Sequence, residues 1–212
     1  MTCNDSLSNI HNTVQTNRAE TVIRILNTCE EMLVDRGYVV TYRIHDPDLV
    51  GKRINPVIIG HRAEDTEDNT KASSILVFVV GEEDKVGVKT LRNILSLGGE
   101  GKDESDICST TSYIIVSKDG PTPFTRKEAN SRIQFFKAKE LCFNVTKHAL
   151  VPKHEVVTSL PPGVDVKELP KILDTDPVVQ HYNWPPGTVL MVMRKFGTDQ
   201  PIPYYRVVCL SN

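Results

Sequence analysis

A run of basic side chains near the middle of the sequence is the strongest candidate for binding chemistry. Between Pro121 and Lys139 the only acid is Glu128, and the bases are Arg126, Lys127, Arg132, Lys137 and Lys139. Lysine and arginine attract DNA phosphates whatever the base sequence, so a contact with duplex DNA is one interpretation. The other, which charge alone favours, is that these side chains coat the solvent-exposed surface of a helix.

Metal-binding chemistry has little support in the sequence. His148 and His154 are close together, but no cysteine or carboxylate lies at the spacing of a zinc or transition-metal site. Asp46, Asp48 and the carboxylates of residues 64 to 68 could in principle hold magnesium. Carboxylates in such proline- and asparagine-containing segments are more typical of turns and solvated loops, and the charged stretch His61–Asp68 is predicted to be a solvated loop. We therefore expect neither a metal ion nor another cofactor.

A catalytic site is not predicted either. Gly98 to Lys102 superficially resembles a phosphate-binding loop, but Asp103 stands where serine or threonine is required, and the segment follows a predicted helix instead of a strand. The G-x-S-x-G, H-E-x-x-H and Cys–His signatures of hydrolases are missing from the sequence. A small hydrolase or nuclease using scattered aspartate and histidine residues is therefore the weakest of the alternatives.

Composition indicates an ordinary globular protein in a reducing compartment. The 212 residues are 39% hydrophobic, enough for one large core or two small ones, and the formal net charge of −2 gives no overall attraction to nucleic acid. Five widely spaced cysteines include no C-x-x-C pair. The polar N-terminus and the short longest apolar run, Ile75 to Val80, predict neither a signal peptide nor a membrane span. No basic run marks a nuclear address, so entry into the nucleus would require a partner.

Hydrophobic periodicity predicts three helices in the first two thirds of the chain. Residues 1 to 17 are polar and are expected to form a loose tail. Apolar residues from Val22 to Leu33 then follow the spacing of one helical face, and Gly37 stands where a left-handed C-cap is expected. The second helix is predicted from Val88 to Leu95 and the third from Thr125 to Ile133.

Short apolar and β-branched runs between these helices predict strands at Tyr38–Tyr42, Ile75–Val80 and Tyr113–Val116. The run Ile75–Val80 is continuously apolar, which is typical of a strand covered on both faces of its sheet. Alternation of helices and strands indicates an α/β layer arrangement.

The composition of the chain changes near residue 140, which predicts a domain boundary there. An N-terminal α/β domain over residues 1–140 would be followed by a small β-rich domain over 141–212, together an α+β fold. One short helix is predicted at Asp176–Tyr182 with Pro177 at its first position. Val189–Met193 and Tyr204–Leu210 are predicted to pair as a hairpin. Because its strands are apolar on both faces, we expect this small domain to dock on a larger partner.

Seven short motifs along the chain resemble, in their order, those of one family. They are Glu31–Tyr38, Val86–Thr90, Leu150–His154, Leu169–Ile172, Asp176–Val178, Gly187 before the strand-like run that ends at Arg194, and Tyr205–Arg206. No single motif is decisive, but their order over nearly the whole chain argues against coincidence. The chain resembles the small subunit shared by the eukaryotic nuclear RNA polymerases (ABC1 type), which has a counterpart in the archaeal polymerase.

This resemblance implies a non-catalytic structural subunit of a nuclear DNA-directed RNA polymerase. The N-terminal domain would form part of the lower jaw, with Thr122 and Pro123 in a turn near downstream duplex DNA and Arg126 and Lys127 contacting its phosphates. The C-terminal domain would anchor the chain to the largest subunit. The residues implied in anchoring are Leu150, Val151, Pro152, Lys153, His154, Asp176, Pro177, Arg194, Tyr205 and Arg206.

The sequence also departs from the family pattern. The helical insertion that the family has after the segment matching Leu150–His154 is replaced by Glu155–Glu168, where Pro161-Pro162-Gly163 should prevent a helix. Lys195–Thr198 stands where the family has Pro-Ser-Glu-Thr, and residues 43 to 73 match poorly. These differences suggest a diverged copy; whether such a copy serves one nuclear polymerase or all of them is left open by the sequence. The alternative, from another class, is a free-standing regulatory or interaction protein with the same assembly fold.

Overall fold

A computed structural model of the chain describes residues 4–62, 73–81, 85–98, 111–194 and 202–211, with side chains from residue 17 onward. The chain divides into two compact units, Met1–Phe143 and Asn144–Asn212, each with its own sheet. The division falls three residues after the boundary expected from composition.

The N-terminal unit contains a mixed five-stranded sheet with the spatial order β1-β2-β3-β4-β5. Its strands are β1 (Val39–Arg43), β2 (Pro56–Arg62), β3 (Ser73–Val79), β4 (Thr111–Ser117) and β5 (Ile133–Lys137). The pairs β1–β2 and β2–β3 are antiparallel, whereas β3–β4 and β4–β5 are parallel. Parallel neighbours need crossover connections. The helices α2 (Val88–Leu97) and α3 (Pro123–Glu128) provide them.

Apolar side chains cover both faces of this sheet. On one face, Val77 and Val116 join a buried cluster with the long first helix, α1 (Asn4–Asp35), to which Leu26, Cys29, Met32 and Leu33 contribute. On the other face, Phe78 and Ile115 pack in a second cluster that includes Leu91 and Ile94 of α2. The predictions of a doubly covered strand at Ile75–Val80 and of an amphipathic second helix are therefore confirmed.

The first helix is longer than expected. Its apolar face and its end agree with the prediction, since Gly37 adopts φ +83° and its N–H donates to the Val34 carbonyl at 2.9 Å. The helix begins at Asn4, however, where a loose tail was expected over residues 1 to 17. Residues 4–17 contain neither proline nor glycine, so nothing in the backbone chemistry stops a helix nucleated by the buried face from extending toward the N-terminus.

The third predicted helix is shorter than expected, and a strand follows it. The helix was predicted to continue to Ile133, but α3 ends at Glu128. Ile133–Lys137 then forms β5, a fifth strand of the N-terminal sheet, where the sequence predicted the transition to the second domain. Strand pairing decides the conformation of this segment. It forms hydrogen bonds with the open edge of β4 in a parallel ladder that begins with Tyr113 opposite Ile133. The tertiary contact therefore overrides the local helical pattern.

Parts of the predicted loops can be located. The charged stretch beginning at His61 was expected to be a solvated loop, but His61 and Arg62 belong to β2. Residues 63–68 lie outside the described residues, as do 99–102 of the glycine-rich segment and 195–198 of the altered turn.

The C-terminal unit contains a four-stranded sheet with the order β6-β8-β9-β7 and one short helix. Its elements are β6 (Lys153–Val156), β7 (Lys171–Leu173), α4 (Pro177–Tyr182), β8 (Val189–Arg194) and β9 (Ile202–Cys209). The predicted helix with Pro177 at its start and the predicted β8–β9 hairpin are confirmed. The segment Glu155–Glu168 contains the end of β6 and a single 3₁₀ turn, Val166–Glu168, instead of the family's helix.

The core of the C-terminal unit is small. Ile172, Val179, Leu190 and Val208 form its buried cluster, with Trp184 packed against them. Along β8, Leu190 and Val192 are buried, while Val189, Met191 and Met193 on the opposite face are half-buried. The helix α4 therefore covers one face of the sheet.

We predict that Leu190→Ala destabilises the C-terminal unit by about 2–5 kcal/mol, because the substitution leaves a cavity in a core with few other members. Trp184 is the single tryptophan and packs against this core, so urea unfolding followed by tryptophan fluorescence reports on this unit. The control Leu173→Ala, at an exposed position of the same sheet, should change the free energy of unfolding by less than about 0.5 kcal/mol. Equal effects of the two substitutions would contradict the assigned core.

Candidate functional site

The turn that opens α3 is fixed to the segment before α2 by hydrogen bonds. The Thr122 N–H donates to the Val86 carbonyl at 3.1 Å, and the Thr125 hydroxyl donates to the same oxygen at 2.9 Å. Because the Thr125 hydroxyl proton is used in this way, the 2.8 Å contact between the two threonine hydroxyls has Thr122 as the donor. Thr122 also caps the helix by accepting from the Thr125 N–H. Its side chain therefore positions the turn.

The exposed part of α3 carries two cations. Glu128 forms a salt bridge with Arg92, with 2.8 Å between Oε1 of Glu128 and Nη2 of Arg92. Arg126 and Lys127 are both exposed, and neither pairs with a carboxylate in the part of the chain that the structure describes. Phe124, between Pro123 and these bases, is 76% exposed. We call Pro123, Phe124, Arg126 and Lys127 the α3 tip.

The remaining bases of the run identified in the sequence belong to other elements. Arg132 lies between α3 and β5, Lys137 ends β5, and Lys139 lies in the following 3₁₀ turn, Ala138–Leu141. The run of basic residues is therefore divided among several elements, and only Arg126 and Lys127 belong to α3.

In the C-terminal unit, strand register places three cationic or titratable side chains on one face of the sheet. His154 lies opposite Val192, and Arg206 lies opposite Leu190. Arg194 is two residues from Val192 and so shares its face. Directly opposed residues of antiparallel strands point to the same side, which here is the side covered by α4. We call His154, Arg194 and Arg206 the Arg–His cluster.

Asp176, at the start of α4, is electrostatically coupled to this cluster. Its carboxylate caps the helix by accepting from the Val178 N–H at 2.9 Å. Its negative charge, together with the charges of Arg194 and Arg206, acts on the His154 imidazole. Three residues that the resemblance assigns to anchoring therefore act on a fourth, His154, although all four are distant in sequence.

The protonation state of His154 follows from its surroundings. Its Nδ1 lies 2.8 Å from the Pro152 carbonyl, which can only accept, so Nδ1 carries the proton. Burial lowers the pKa of His154 below its usual 6.5, and the hydrogen bond to Pro152 and the charge of Asp176 only partly oppose that change. Arg206 and Arg194 lower the pKa further. The imidazole is therefore neutral at pH 7, with Nε2 as a hydrogen-bond acceptor.

Each arginine of the cluster is held in place by a neighbour. The guanidinium carbon of Arg194 lies 5.6 Å from the centroid of the Tyr204 ring, a cation–π arrangement. Nη1 of Arg206 donates to the Lys171 carbonyl at 3.3 Å. Among the described residues, neither guanidinium forms a salt bridge.

The other residues implied in anchoring lie apart from the Arg–His cluster. Tyr205 lies opposite Met191 and so points to the other face of the sheet. Lys153 is on that face as well, where its pairing with Glu155 raises the pKa of the lysine. Leu150 is 86% exposed in the turn before β6. The half-buried Val151 and Pro152 connect this turn to the strand, and Pro177 begins α4.

Features that would indicate other chemistry are not found in the described ranges. No group of three or more histidine, cysteine, aspartate or glutamate side chains there could hold a metal ion. The candidate ligand His148 instead accepts a hydrogen bond from the Leu150 N–H at 3.2 Å. Among the helices that the structure describes, none is both long and apolar enough to span a bilayer.

Comparison with known proteins identifies the family. Residues 162–208 match the family model described as RNA polymerase Rpb5, C-terminal domain. The chain is also 38% identical over 75 residues to DNA-directed RNA polymerase subunit Rpo5 of Methanococcus maripaludis, covering 96% of that protein and 32% of this chain. The chain belongs to the Rpb5 family of DNA-directed RNA polymerase subunits. The resemblance inferred from the ordered motifs is confirmed.

Similarity to members of the Rpb5 family extends beyond the C-terminal unit. The chain is 28% identical over 208 residues to DNA-directed RNA polymerases I, II, and III subunit RPABC1 of Caenorhabditis elegans, covering 87% of this chain and 94% of the worm protein. It is 29% identical over 202 residues to the rpabc1 subunit of Dictyostelium discoideum, covering 88% and 96%. The segment Leu150–His154 lies outside the range that the family model matches.

Two contributors to these surfaces were not identified from the sequence. Tyr204 was assigned only to a strand, although its alternation with Tyr205 indicates that the two tyrosines face opposite sides. Phe124 was not singled out, although an aromatic residue between a proline turn and two bases is a recognisable signal. The Arg92–Glu128 pair had no signal in the sequence, because a salt bridge between separate helices depends on their packing.

We predict that His154→Asn reduces the loss of stability on acidification. Because the pKa of His154 is lower in the folded state, the unfolded chain takes up this proton first as the pH falls below about 6.5. The contribution of neutral His154 to the free energy of unfolding is therefore fully present above that pH and is lost as the pH falls below it. Asparagine can still donate to the Pro152 carbonyl and does not titrate.

Thermal unfolding at pH 7.5 and pH 5.5 checks this expectation. The difference between the two melting temperatures should be smaller for His154→Asn than for the wild type. The control His45→Asn, at an exposed position of the N-terminal unit, should retain the wild-type difference. A His154→Asn difference as large as that of the wild type would contradict the assignment.

Proposed function

We propose that this Rpb5-family chain is a non-catalytic structural subunit of a nuclear DNA-directed RNA polymerase. Its C-terminal unit anchors it to the largest subunit, and its N-terminal unit forms part of the lower jaw beside downstream DNA. The names of the worm and amoeba relatives, which refer to polymerases I, II and III, support a nuclear enzyme with several subunits. Catalysis then belongs to other subunits of that complex.

The observation that carries the anchoring role is the arrangement of His154, Asp176, Arg194 and Arg206. These residues come from β6, the start of α4, β8 and β9, yet the charges of Asp176, Arg194 and Arg206 all act on His154 at a single small sheet. The guanidinium groups of Arg194 and Arg206 have no salt-bridge partner in the described ranges. A charged surface of this kind is suited to recognising another chain.

The small size of the C-terminal unit also supports a partner. Its buried cluster has four members, whereas Leu150, Val156 and Leu173 are apolar and exposed. A unit of this size gains little stability from its own core, and contact with a larger protein would bury its remaining apolar surface.

The α3 tip supports the jaw role. Two cations that pair with no carboxylate among the described residues lie beside an exposed aromatic ring and suit a phosphate backbone. The Thr122 and Thr125 hydrogen bonds to Val86 hold this surface in place. Such contacts attract duplex DNA without reading its sequence, which is what an enzyme moving along a template requires.

Affinity purification of the tagged chain tests the anchoring proposal. The largest polymerase subunit should be recovered in stoichiometric amount, and the list of subunits from mass spectrometry also shows which polymerase is involved. Leu150→Ser should lower this recovery by about tenfold, because a leucine side chain buried at an interface contributes about 1.5–3 kcal/mol.

The thermal unfolding of the isolated chain should not change with Leu150→Ser, because this side chain is exposed in the folded chain. The control Leu49→Ser removes a leucine that is 54% exposed in the N-terminal unit and should keep full recovery. Recovery of the wild-type chain as a free monomer would refute the proposal and favour a free-standing interaction protein.

For the jaw role, Arg126→Glu combined with Lys127→Glu should reduce crosslinking of downstream DNA several-fold, because two phosphate contacts become repulsive. The measurement uses assembled polymerase containing the variant chain. The control, Lys52→Glu with Arg53→Glu, makes the same charge change at two adjacent exposed positions of the same unit and should leave crosslinking unchanged. Normal assembly with undiminished crosslinking for the Arg126/Lys127 variant would refute the phosphate role.

A further inference from the structure

We propose that the Arg–His cluster binds an acidic segment of a neighbouring polymerase subunit, through carboxylates that pair with Arg194 and Arg206. That the partner is a polymerase subunit rests on the proposed function. The chemistry of the partner, acidic side chains interspersed with apolar ones, is inferred from the cluster and its surroundings.

The first argument is the positive charge of the cluster. Two guanidinium groups share one face of the sheet, and among the residues that the structure describes Asp176 is the one carboxylate whose charge acts together with theirs on His154. That carboxylate is already used in capping α4. A surface with more fixed positive than negative charge attracts a complementary acidic surface and disfavours a basic one.

The second argument is that the two arginines are oriented before binding. Arg206 uses one of its donors on the Lys171 carbonyl, which leaves the other guanidinium N–H groups for a ligand. Arg194 lies over the ring of Tyr204, an arrangement that leaves the edge of the guanidinium group accessible. The planar guanidinium edge matches the two oxygens of a carboxylate, so each arginine can form a bidentate pair.

The third argument concerns the class of macromolecule. Three apolar or aromatic side chains, Val156, Ile202 and Tyr204, are exposed. They lie on the same face as the arginines, because their partners in the strand pairing are Leu190, Arg194 and Val192, respectively. Apolar and aromatic side chains around an arginine pair are typical of a protein–protein interface. The neutral His154 adds an acceptor, Nε2, which needs a donor; a polypeptide supplies backbone N–H and hydroxyl donors beside its carboxylates, whereas the oxygens of a phosphate backbone only accept.

A charge-neutralising variant with a control elsewhere in the same unit tests this proposal. Arg194→Gln with Arg206→Gln should lower the retention of the full-length chain on immunopurified polymerase by at least about tenfold, as expected when one side of a charge-paired interface is removed. The control, Lys167→Gln with Lys171→Gln, removes two exposed bases of the same unit that belong neither to the cluster nor to the residues implied in anchoring, and it should be retained normally. Normal retention of the arginine variant, or equal loss of both variants, would overturn the proposal.

A second measurement uses the purified full-length chain. A peptide of alternating aspartate and leucine with blocked ends should raise the pKa of His154, followed by NMR, because nearby carboxylates favour the imidazolium form. The matching asparagine peptide should have no such effect, nor should the acidic peptide on the arginine variant. If thermal unfolding shows that the double variant is destabilised, Arg194→Gln alone, at the exposed position, carries the test.

Phosphate binding is a separate outcome. If the arginine variant is retained on polymerase but loses binding to duplex DNA in a mobility-shift assay, the ligand of the cluster is a phosphate backbone and the proposal is wrong. If the wild-type chain does not associate with polymerase at all, the proposed function fails instead. The peptide titration then decides by itself whether the cluster binds acidic polypeptide.

Discussion

The burial of β3 and β4 on both faces is the constraint on which the N-terminal unit depends. Two parallel strands with apolar side chains on both sides need a layer of helix above and below, and α1 and α2 provide these layers. The same parallel arrangement requires a crossover after β4, and that crossover contains α3. The α3 tip is therefore a consequence of the core, held at its position by the hydrogen bonds of Thr122 and Thr125 to Val86.

In the C-terminal unit the corresponding constraint is the alternation of side chains along β8 and β9. Once Leu190 and Val208 are buried against α4, every second residue along the strands must share their side. Arg194, Tyr204 and Arg206 are placed on that side beyond the apolar core, where partly apolar surroundings strengthen electrostatic interactions relative to bulk water. Cations held in this way suit discrete carboxylates, whereas the α3 tip suits the uniform negative surface of a phosphate backbone.

Elements whose pattern is decided by near neighbours were predictable from the sequence. The buried face of α1, its end at Gly37, the doubly buried β3, α4 with Pro177 at its start and the β8–β9 hairpin all depend on local periodicity, capping and turn chemistry. Family membership was also readable, because seven motifs keep their order. The strand β5 was missed because the open edge of β4, which is distant in sequence, decides its conformation.

The sequence by itself therefore determined the fold class, the family and which residue types could bind anions. Only the tertiary structure decided which of those residues act together. Within the described ranges Arg126 and Lys127 pair with no carboxylate, and Glu128 of the same helix is paired with Arg92 of another. Arg194, Arg206 and His154 form one cluster because strand register brings them to one face, while Tyr205 points to the other. Register and packing depend on contacts between distant segments, so no local pattern in the sequence specifies them.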